Sequence, residues 1–184
     1  MQVFLETQVS PSGTELGDRD CMIAAAQTRA ISIMQNDPDR ARTISTTTGT
    51  VRAGLVCEVV QGRHTIFADL GPGMGGDKAG PPPSFFARAA IASCVAIAIK
   101  MHAANAGHTF REVTVNVTTD MSDLALWGVG QHGAAPMATE INITIATNSS
   151  AESVRTIVNT ALDRDPWFLA LRDQQVVETN VTLM

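Results

Sequence analysis

The sequence has few cysteines, and none of them form a close pair. Its 184 residues include three, Cys21, Cys57 and Cys94, with no C-x-x-C spacing. An odd number of widely spaced cysteines argues against a disulfide framework and against a thiolate zinc site. This usage is typical of a reducing compartment, and we expect a cytoplasmic location. The four histidines also lack metal-ligand spacing, so we expect no metal and no other cofactor.

The sequence also lacks clusters of basic residues and long apolar runs. Acidic side chains outnumber basic ones by 18 to 13, for a net charge of −5. Without a basic patch, a nucleic acid is excluded as a partner. The longest apolar run, residues 89–99, is too short to cross a bilayer, and the first residues show no export signal. We therefore expect neither a nucleic acid nor a membrane as a partner.

Hydrophobic periodicity predicts an α+β fold with mostly antiparallel strands. Residues 1–47 form an N-terminal extension with one helix, capped by Asp20, and residues 48–184 form the main domain. In the domain the predicted elements are, in order, a β-hairpin of strands 51–60 and 64–69, a buried helix 85–105, strands around 113–117 and 141–145, a helix from a Ser149–Glu152 capping box to Pro166, and a last strand 177–183.

The helix predicted from Phe85 to Asn105 is apolar on every face, which indicates burial on all sides. The loop before it, GPGMGGDKAGPPP, resembles a phosphate-binding loop only loosely, because Asp77 separates the second glycine from Lys78 and prolines follow. Cys94 lies in the middle of the helix, about ten residues from its start. By residue type alone it is a small core hydrophobe, since the helix dipole has faded at that depth.

The stretch from Gly75 to Arg111 changes that interpretation of Cys94. It has a GG-rich loop, a proline-led helix start, an Ala-rich helix with a cysteine, and a glycine turn into a strand. In these features, and in the order of elements over about residues 48–184, the chain resembles the OsmC/Ohr family of osmotically induced and organic hydroperoxide resistance proteins. The resemblance implies an intertwined dimer in which antiparallel sheets surround a long central helix.

The resemblance also implies that Cys94 is the thiol attacked by organic hydroperoxides. Such a reaction needs a thiolate held by a cation, and Arg52 is the nearest candidate for the family's activating arginine. The family carboxylate near the start of the central helix is absent at Ser84 and Phe85.

The family's second cysteine, which resolves the sulfenic acid, is missing here. It stands in a Cys-Pro context near the end of the second helix, where this sequence has Asp165 before Pro166. Asp165 cannot form a disulfide, and close to Cys94 its charge would raise the pKa of the thiol. Cys57 is a weak candidate for a substitute resolving thiol.

Three functions remain open from the sequence. The leading hypothesis is thiol-dependent reduction of organic hydroperoxides in an oxidative stress response, with an external thiol reductant. The alternative is a non-catalytic module that binds a hydrophobic small molecule at a dimer interface, in a pocket bounded by Phe85, Phe86 and Trp167. The third is a purely structural or interaction role, so enzymatic activity itself is left open.

Overall fold

The computed structural model describes residues 17–131 and 133–183, and these form a mixed helix and sheet fold, as predicted. The helices and strands are, in order, α1 (Asp18–Asn36), β1 (Thr48–Val51), β2 (Cys57–Gln61), β3 (His64–Ala68), α2 (Pro83–Asn105), β4 (Phe110–Asp120), β5 (Ala138–Thr147), α3 (Ala151–Leu162) and α4 (Pro166–Arg172). One sheet has the order β1-β2-β3, and β4 pairs with β5 in a second.

The chain divides into two compact units. In the described chain, the first unit comprises residues 17–23, 91–116 and 141–183, and the second comprises residues 24–90 and 117–140 without position 132. The long elements α2, β4 and β5 contribute to both units.

The core of the first unit lies between α2, α3 and the two long strands. The predicted apolar face of α3 is confirmed, because every member is buried: Val154, Ile157, Val158, Ala161 and Leu162. This face packs with Val95 and Ile99 of α2, which are both fully buried. The predicted alternation in β4 and β5 is also confirmed, and Val113, Val115, Ile141, Ile143 and Ile145 pack against this cluster.

The start of α3 differs from the prediction by one residue. Ser150, not Ser149, is the N-cap, and its hydroxyl accepts a hydrogen bond from the backbone N–H of Ser153 at 3.1 Å. Ser149 is buried instead and its Oγ lies 2.8 Å from Nδ1 of His108. Only Ser149 has a glutamate three residues later, so the capping-box pattern selected it, but Ser149 contacts His108 and the neighbouring Ser150 caps the helix instead.

The prediction that α2 is buried on all sides is wrong within one chain. Val95, Ile99 and Ala103 form its buried stripe, whereas Ile97 is 59% exposed and Met101 is 39% exposed. By length and composition alone, α2 is the one helix in the described ranges that could cross a membrane, a test that the core helix of a soluble protein also passes. Its apolar character therefore exceeds what this chain alone buries.

The second unit contains the predicted β-hairpin. Gln61 pairs with His64 across a tight turn in which Gly62 has a φ of 57°. The strand predicted over 51–60 is two strands, because the chain turns back after Val51 at Gly54, whose φ is 71°. A glycine is favoured there because other residues rarely adopt a positive φ.

The Gly- and Pro-rich loop after β3 is ordered by one buried carboxylate. Asp69 is 2% exposed and accepts hydrogen bonds from the backbone N–H groups of Leu70, Asp77 and Ala79 at 2.8, 2.9 and 3.0 Å. A Cβ at Gly80 would lie 2.1 Å from the carbonyl oxygen of Phe67, so the loop approaches β3 more closely than any side chain permits. The loop is held by its own chain, and close backbone approach explains the glycines at positions 76 and 80.

Helix α1 of the extension is anchored at its first turn. It begins at Asp18, two residues earlier than predicted, so Asp20 does not cap the helix but lies within it. The Asp20 carboxylate is buried and lies 2.8 Å from the ammonium of Lys100 in α2. The apolar side chains of Met22, Ile31 and Ile33 remain exposed.

The strand predicted over residues 177–183 is not present. The chain from Gln174 to Leu183 is irregular, and Val177, Val181 and Leu183 are 80%, 84% and 92% exposed. Alternating sequence forms a strand only where a neighbouring strand accepts its hydrogen bonds, and the described residues place no strand beside this segment.

Candidate functional site

Cys94 occupies the boundary between the buried and exposed faces of α2. At 100° per residue, the stripe of Cys94, Ala98 and His102 lies beside the buried stripe of Val95 and Ile99 on one side. On its other side lies the exposed stripe of Ile97 and Met101. Cys94 itself is partly buried, and it is a free thiol. The sulfur is therefore at the edge of the first unit's core, next to an apolar surface.

The surroundings of Cys94 favour the neutral thiol. Burial raises its pKa above the ordinary value, and the nearby Asp165 carboxylate raises it further through its polar interaction with the thiol and its negative charge. The backbone N–H of Trp167 acts in the opposite direction by donating a hydrogen bond to the sulfur. Among the described residues of this unit, no basic side chain offsets the rise.

Asp165 lies at the corner where α3 ends and α4 begins. It is fully buried, and its Oδ1 accepts a hydrogen bond of 2.7 Å from the backbone N–H of Phe168, which makes it the N-cap of α4. Pro166 follows at the first position of α4, where its missing N–H costs nothing. The second oxygen, Oδ2, is buried without a hydrogen-bond partner of ordinary geometry, and the carboxylate faces the Cys94 thiol.

The sequence identified this juxtaposition only in part. The resemblance placed Asp165 where the family has its second thiol, and we expected a carboxylate near Cys94 to raise the pKa of the thiol. In the structure, Asp165 does raise that pKa. Helix α4 was not predicted, because Pro166 was interpreted only as a helix breaker. Asp-Pro directly before an apolar segment was the available signal, since Asp is a favoured N-cap and Pro a favoured first residue.

The three predicted pocket residues have different environments. Trp167 contributes its backbone N–H to the sulfur of Cys94, while the residue as a whole is 59% exposed. Phe85 is 48% exposed and contacts Phe86 edge to face, with ring centroids 5.3 Å apart. Phe85 and Phe86 belong to the second unit and Trp167 to the first, so the common pocket stays a prediction.

Arg52 and Cys57 both lie in the second unit. The Arg52 guanidinium is 3.4 Å from the Glu58 carboxylate in an exposed ion pair. Cys57 is a partly buried free thiol on β2, and a Cβ at Gly49 of β1 would lie 3.3 Å from its sulfur. Their proposed roles toward Cys94 stay predictions.

His102 of α2 and Arg164 after α3 are two further polar residues of the first unit. Burial lowers the pKa of His102, and the positive charge of Arg164 lowers it further, so this imidazole is held neutral. Residues 17–131 and 133–183 contain no group of three or more His, Cys, Asp or Glu side chains that could hold a metal ion. The chemistry that the site itself offers is that of one thiol beside one carboxylate.

Comparison with known proteins agrees with the architecture. The crystal structure of an OsmC-like protein from Mycoplasma pneumoniae matches with a TM-score of 0.60 and 15% identity, over 71% of this chain and 88% of that one. An OsmC-like protein of unknown function from Vibrio cholerae matches with a TM-score of 0.53 and 11% identity, over 69% and 92% of the two chains. At these identities the matches show the fold.

An organic hydroperoxide resistance protein OsmC from Legionella pneumophila is also similar, with a TM-score of 0.50 and 16% identity, over 71% of this chain and 92% of that one. A search of curated protein sequences finds no match. The family described as OsmC-like protein matches residues 75–180, which is more than half of the chain and includes Cys94, Asp165 and Trp167. The chain therefore belongs to the OsmC-like protein family.

Proposed function

We propose that this protein is a homodimeric, thiol-dependent reductase of organic hydroperoxides that acts through Cys94 in the reducing cytoplasm. The observation that carries the proposal is the position of Cys94, a partly buried thiol at the edge of the apolar core whose pKa responds to Asp165 and to the backbone N–H of Trp167. The Legionella relative, an organic hydroperoxide resistance protein, supports the choice of substrate.

The proposed reaction uses one protein thiol per cycle. The Cys94 sulfur attacks the peroxide oxygen that carries hydrogen, the O–O bond breaks, and the products are an alcohol and a sulfenic acid at Cys94. Because Asp165 occupies the position of the family's second cysteine, an external thiol condenses with the sulfenic acid and releases water. A second external thiol then restores Cys94 and leaves as a disulfide with the first.

Arg52 is the proposed activating cation. Its ion pair with Glu58 is exposed, with 73% of the arginine side chain accessible. Exposed pairs of this kind contribute only about 0–1 kcal/mol, so Arg52 can exchange Glu58 for another negative group at small cost. Cys57 stays a weaker proposal as a resolving thiol.

The test is consumption of cumene hydroperoxide with either a dithiol or a monothiol reductant. We expect wild type and Cys21→Ser to be active with both reductants and Cys94→Ser to be inactive. Cys57→Ser separates the two recycling routes, because a loss of activity with that variant would assign the resolving role to Cys57. Activity that survives Cys94→Ser, or a wild type that consumes no hydroperoxide, would contradict the proposal.

A second copy of the chain is the proposed partner for the exposed apolar face of α2. This face includes Ile97 and Met101, and the tail valines Val177 and Val181 are exposed as well. Substitution Ile97→Glu should convert the dimer to a monomer in size-exclusion chromatography with light scattering. Ile31→Glu is the matched control, because Ile31 is an exposed isoleucine of α1. A wild-type monomer at high concentration would exclude this partner.

A binding module without turnover is the second candidate. The raised pKa of Cys94 favours it, because a neutral thiol in an apolar setting is a poor nucleophile. Under this alternative, native mass spectrometry of protein purified from cells shows a bound hydrophobic molecule, and the hydroperoxide assay is negative. A clean mass of the protein alone would count against it.

A further inference from the structure

The carboxylate of Asp165 is used only in part by the fold. Its Oδ1 caps α4 through the N–H of Phe168, while Oδ2 is buried without an ordinary hydrogen-bond partner. A helix cap does not require this arrangement, since Ser150 caps α3 with a single neutral hydroxyl at an exposed position. Burial of an unpaired carboxylate oxygen costs free energy, so the charge needs an explanation beyond capping.

The interaction of Asp165 with Cys94 explains why a charged group is retained at this position. The two groups together hold one proton and one negative charge, whether the proton is on sulfur or on oxygen. A proton can therefore move from the thiol to the carboxylate without any change in the net charge of the buried pair. Removal of the proton to water would instead leave two negative charges side by side, one of them fully buried, which is more costly.

We propose that Asp165 is the general base and then the general acid for the reaction of Cys94 with a hydroperoxide. This inference rests on the proposed function and assigns a catalytic residue to it. Asp165 accepts the thiol proton as the sulfur attacks, and it then donates the same proton to the alkoxide that leaves.

The step balances. The S–H bond breaks and its proton moves to the Asp165 carboxylate, the S–O bond forms, and the O–O bond breaks with its electron pair on the alkoxide oxygen. The alkoxide takes the proton from Asp165 and leaves as the alcohol. Sulfur is oxidised to a sulfenic acid whose hydrogen comes from the hydroperoxide, the peroxide is reduced, and Asp165 returns to the carboxylate.

The experiment uses Asp165→Asn, which separates the cap from the base. Asparagine caps helices about as well as aspartate, because its side-chain oxygen accepts the same N–H hydrogen bond. It cannot take a proton from a thiol, and it removes the negative charge that opposes a thiolate at Cys94. Asp165→Ala, which loses both the cap and the base, shows what a purely structural loss looks like, and thermal unfolding monitors both variants.

Two rates at neutral pH are measured for each protein: reduction of cumene hydroperoxide and alkylation of Cys94 by iodoacetamide. Alkylation needs a thiolate but no acid, because iodide leaves as an anion. For Asp165→Asn we expect roughly a hundredfold slower peroxide reduction, the usual worth of a general acid–base group. We expect alkylation to become several-fold faster, because the pKa of the thiol falls. Because local unfolding would also expose the thiol and stop turnover, both rates are measured at a temperature at which thermal unfolding shows Asp165→Asn to be fully folded.

Two other outcomes overturn the inference in distinguishable ways. If wild type reduces the peroxide through Cys94 and Asp165→Asn matches or exceeds it, then the proposed function stands and the acid–base role is wrong. If wild type consumes no hydroperoxide while its Cys94 is intact and alkylated normally, the proposed function fails and the role of Asp165 fails with it.

Discussion

The two units of the chain differ sharply in how well each buries its own apolar residues. The first unit has a continuous core in which Val95, Ile99 and Phe110 are fully buried. In the second unit, the sheet residues Ile66 and Phe67 are 43% and 47% exposed, and Trp127 after β4 is 60% exposed. The first unit thus has a buried core of its own, although Ile97 on the outer face of α2 stays exposed, whereas the sheet of the second unit leaves much of its apolar surface exposed.

Different interactions hold the two units in place. Apolar packing holds Cys94 and Asp165 in place in the first unit, since Phe168, whose backbone N–H donates the capping hydrogen bond to Asp165, belongs to the core. In the second unit the loop after β3 is ordered by polar contacts to Asp69 and by close backbone approach at Gly76 and Gly80. The thiol therefore lies beside a packed apolar core, which helps to fix the position of a reacting group.

We expect the largest effect from truncation of a side chain in the core of the first unit. Ile99→Ala should lower the free energy of unfolding by about 3 kcal/mol, because it leaves a cavity at a fully buried position. Ile66→Ala, in the half-exposed sheet, should cost about 1 kcal/mol or less at low protein concentration. Urea denaturation measures both. Equal losses of unfolding free energy at low protein concentration would contradict the difference between the two units.

Next in size is the loop of the second unit. Gly80→Ala should cost about 2 kcal/mol, because the new Cβ would overlap the Phe67 carbonyl and force β3 and the loop apart. Gly73→Ala in the same loop is the matched control, since a Cβ there meets no atom within 4 Å. Thermal unfolding of the two variants compares them. A harmless Gly80→Ala would mean that this close approach is not needed.

The smallest expected effect is the acid sensitivity of that loop. The N–H of Ala79, followed by those of Leu70 and Asp77, holds the pKa of Asp69 below its ordinary value of 3.8. The folded state then binds this proton less readily than the unfolded state, so the stabilisation is complete above about pH 4 and is lost as the pH falls below it. The Asp69→Asn variant should show a weaker decline of stability over that range. An identical decline in both proteins would assign the acid sensitivity to other groups.

Patterns local in the sequence predicted local structure well. The apolar face of α3, the alternation of β4 and β5, the turn at Gly62 and the stop of α2 before Gly107, whose φ is 78°, all depend on neighbours within a few residues. The errors concern partners that are distant or absent. Val177 to Leu183 alternates as a strand does, yet in the part of the chain that the structure describes it has no strand beside it, and Ile97 on the outer face of α2 stays exposed.

The candidate site was predictable to a similar extent. Cys94 and the replacement of a second thiol by Asp165 followed from the resemblance to a family, and the contact between them required the fold. Asp69 was not identified, because a single aspartate at the end of a strand has no pattern that distinguishes it from a surface residue. Its role depends on three N–H groups that converge only when the loop folds.

The central claim is that Cys94 is the thiol that hydroperoxides oxidise. The most direct measurement treats the reduced protein with one equivalent of cumene hydroperoxide in the presence of dimedone, which traps sulfenic acids, and locates the adduct by peptide mass spectrometry. Because Asp165 replaces the second thiol, we expect the sulfenic acid to persist and the adduct to form at Cys94, with Cys21 and Cys57 unlabelled. An adduct at Cys21 or Cys57 with Cys94 unmodified would contradict the account.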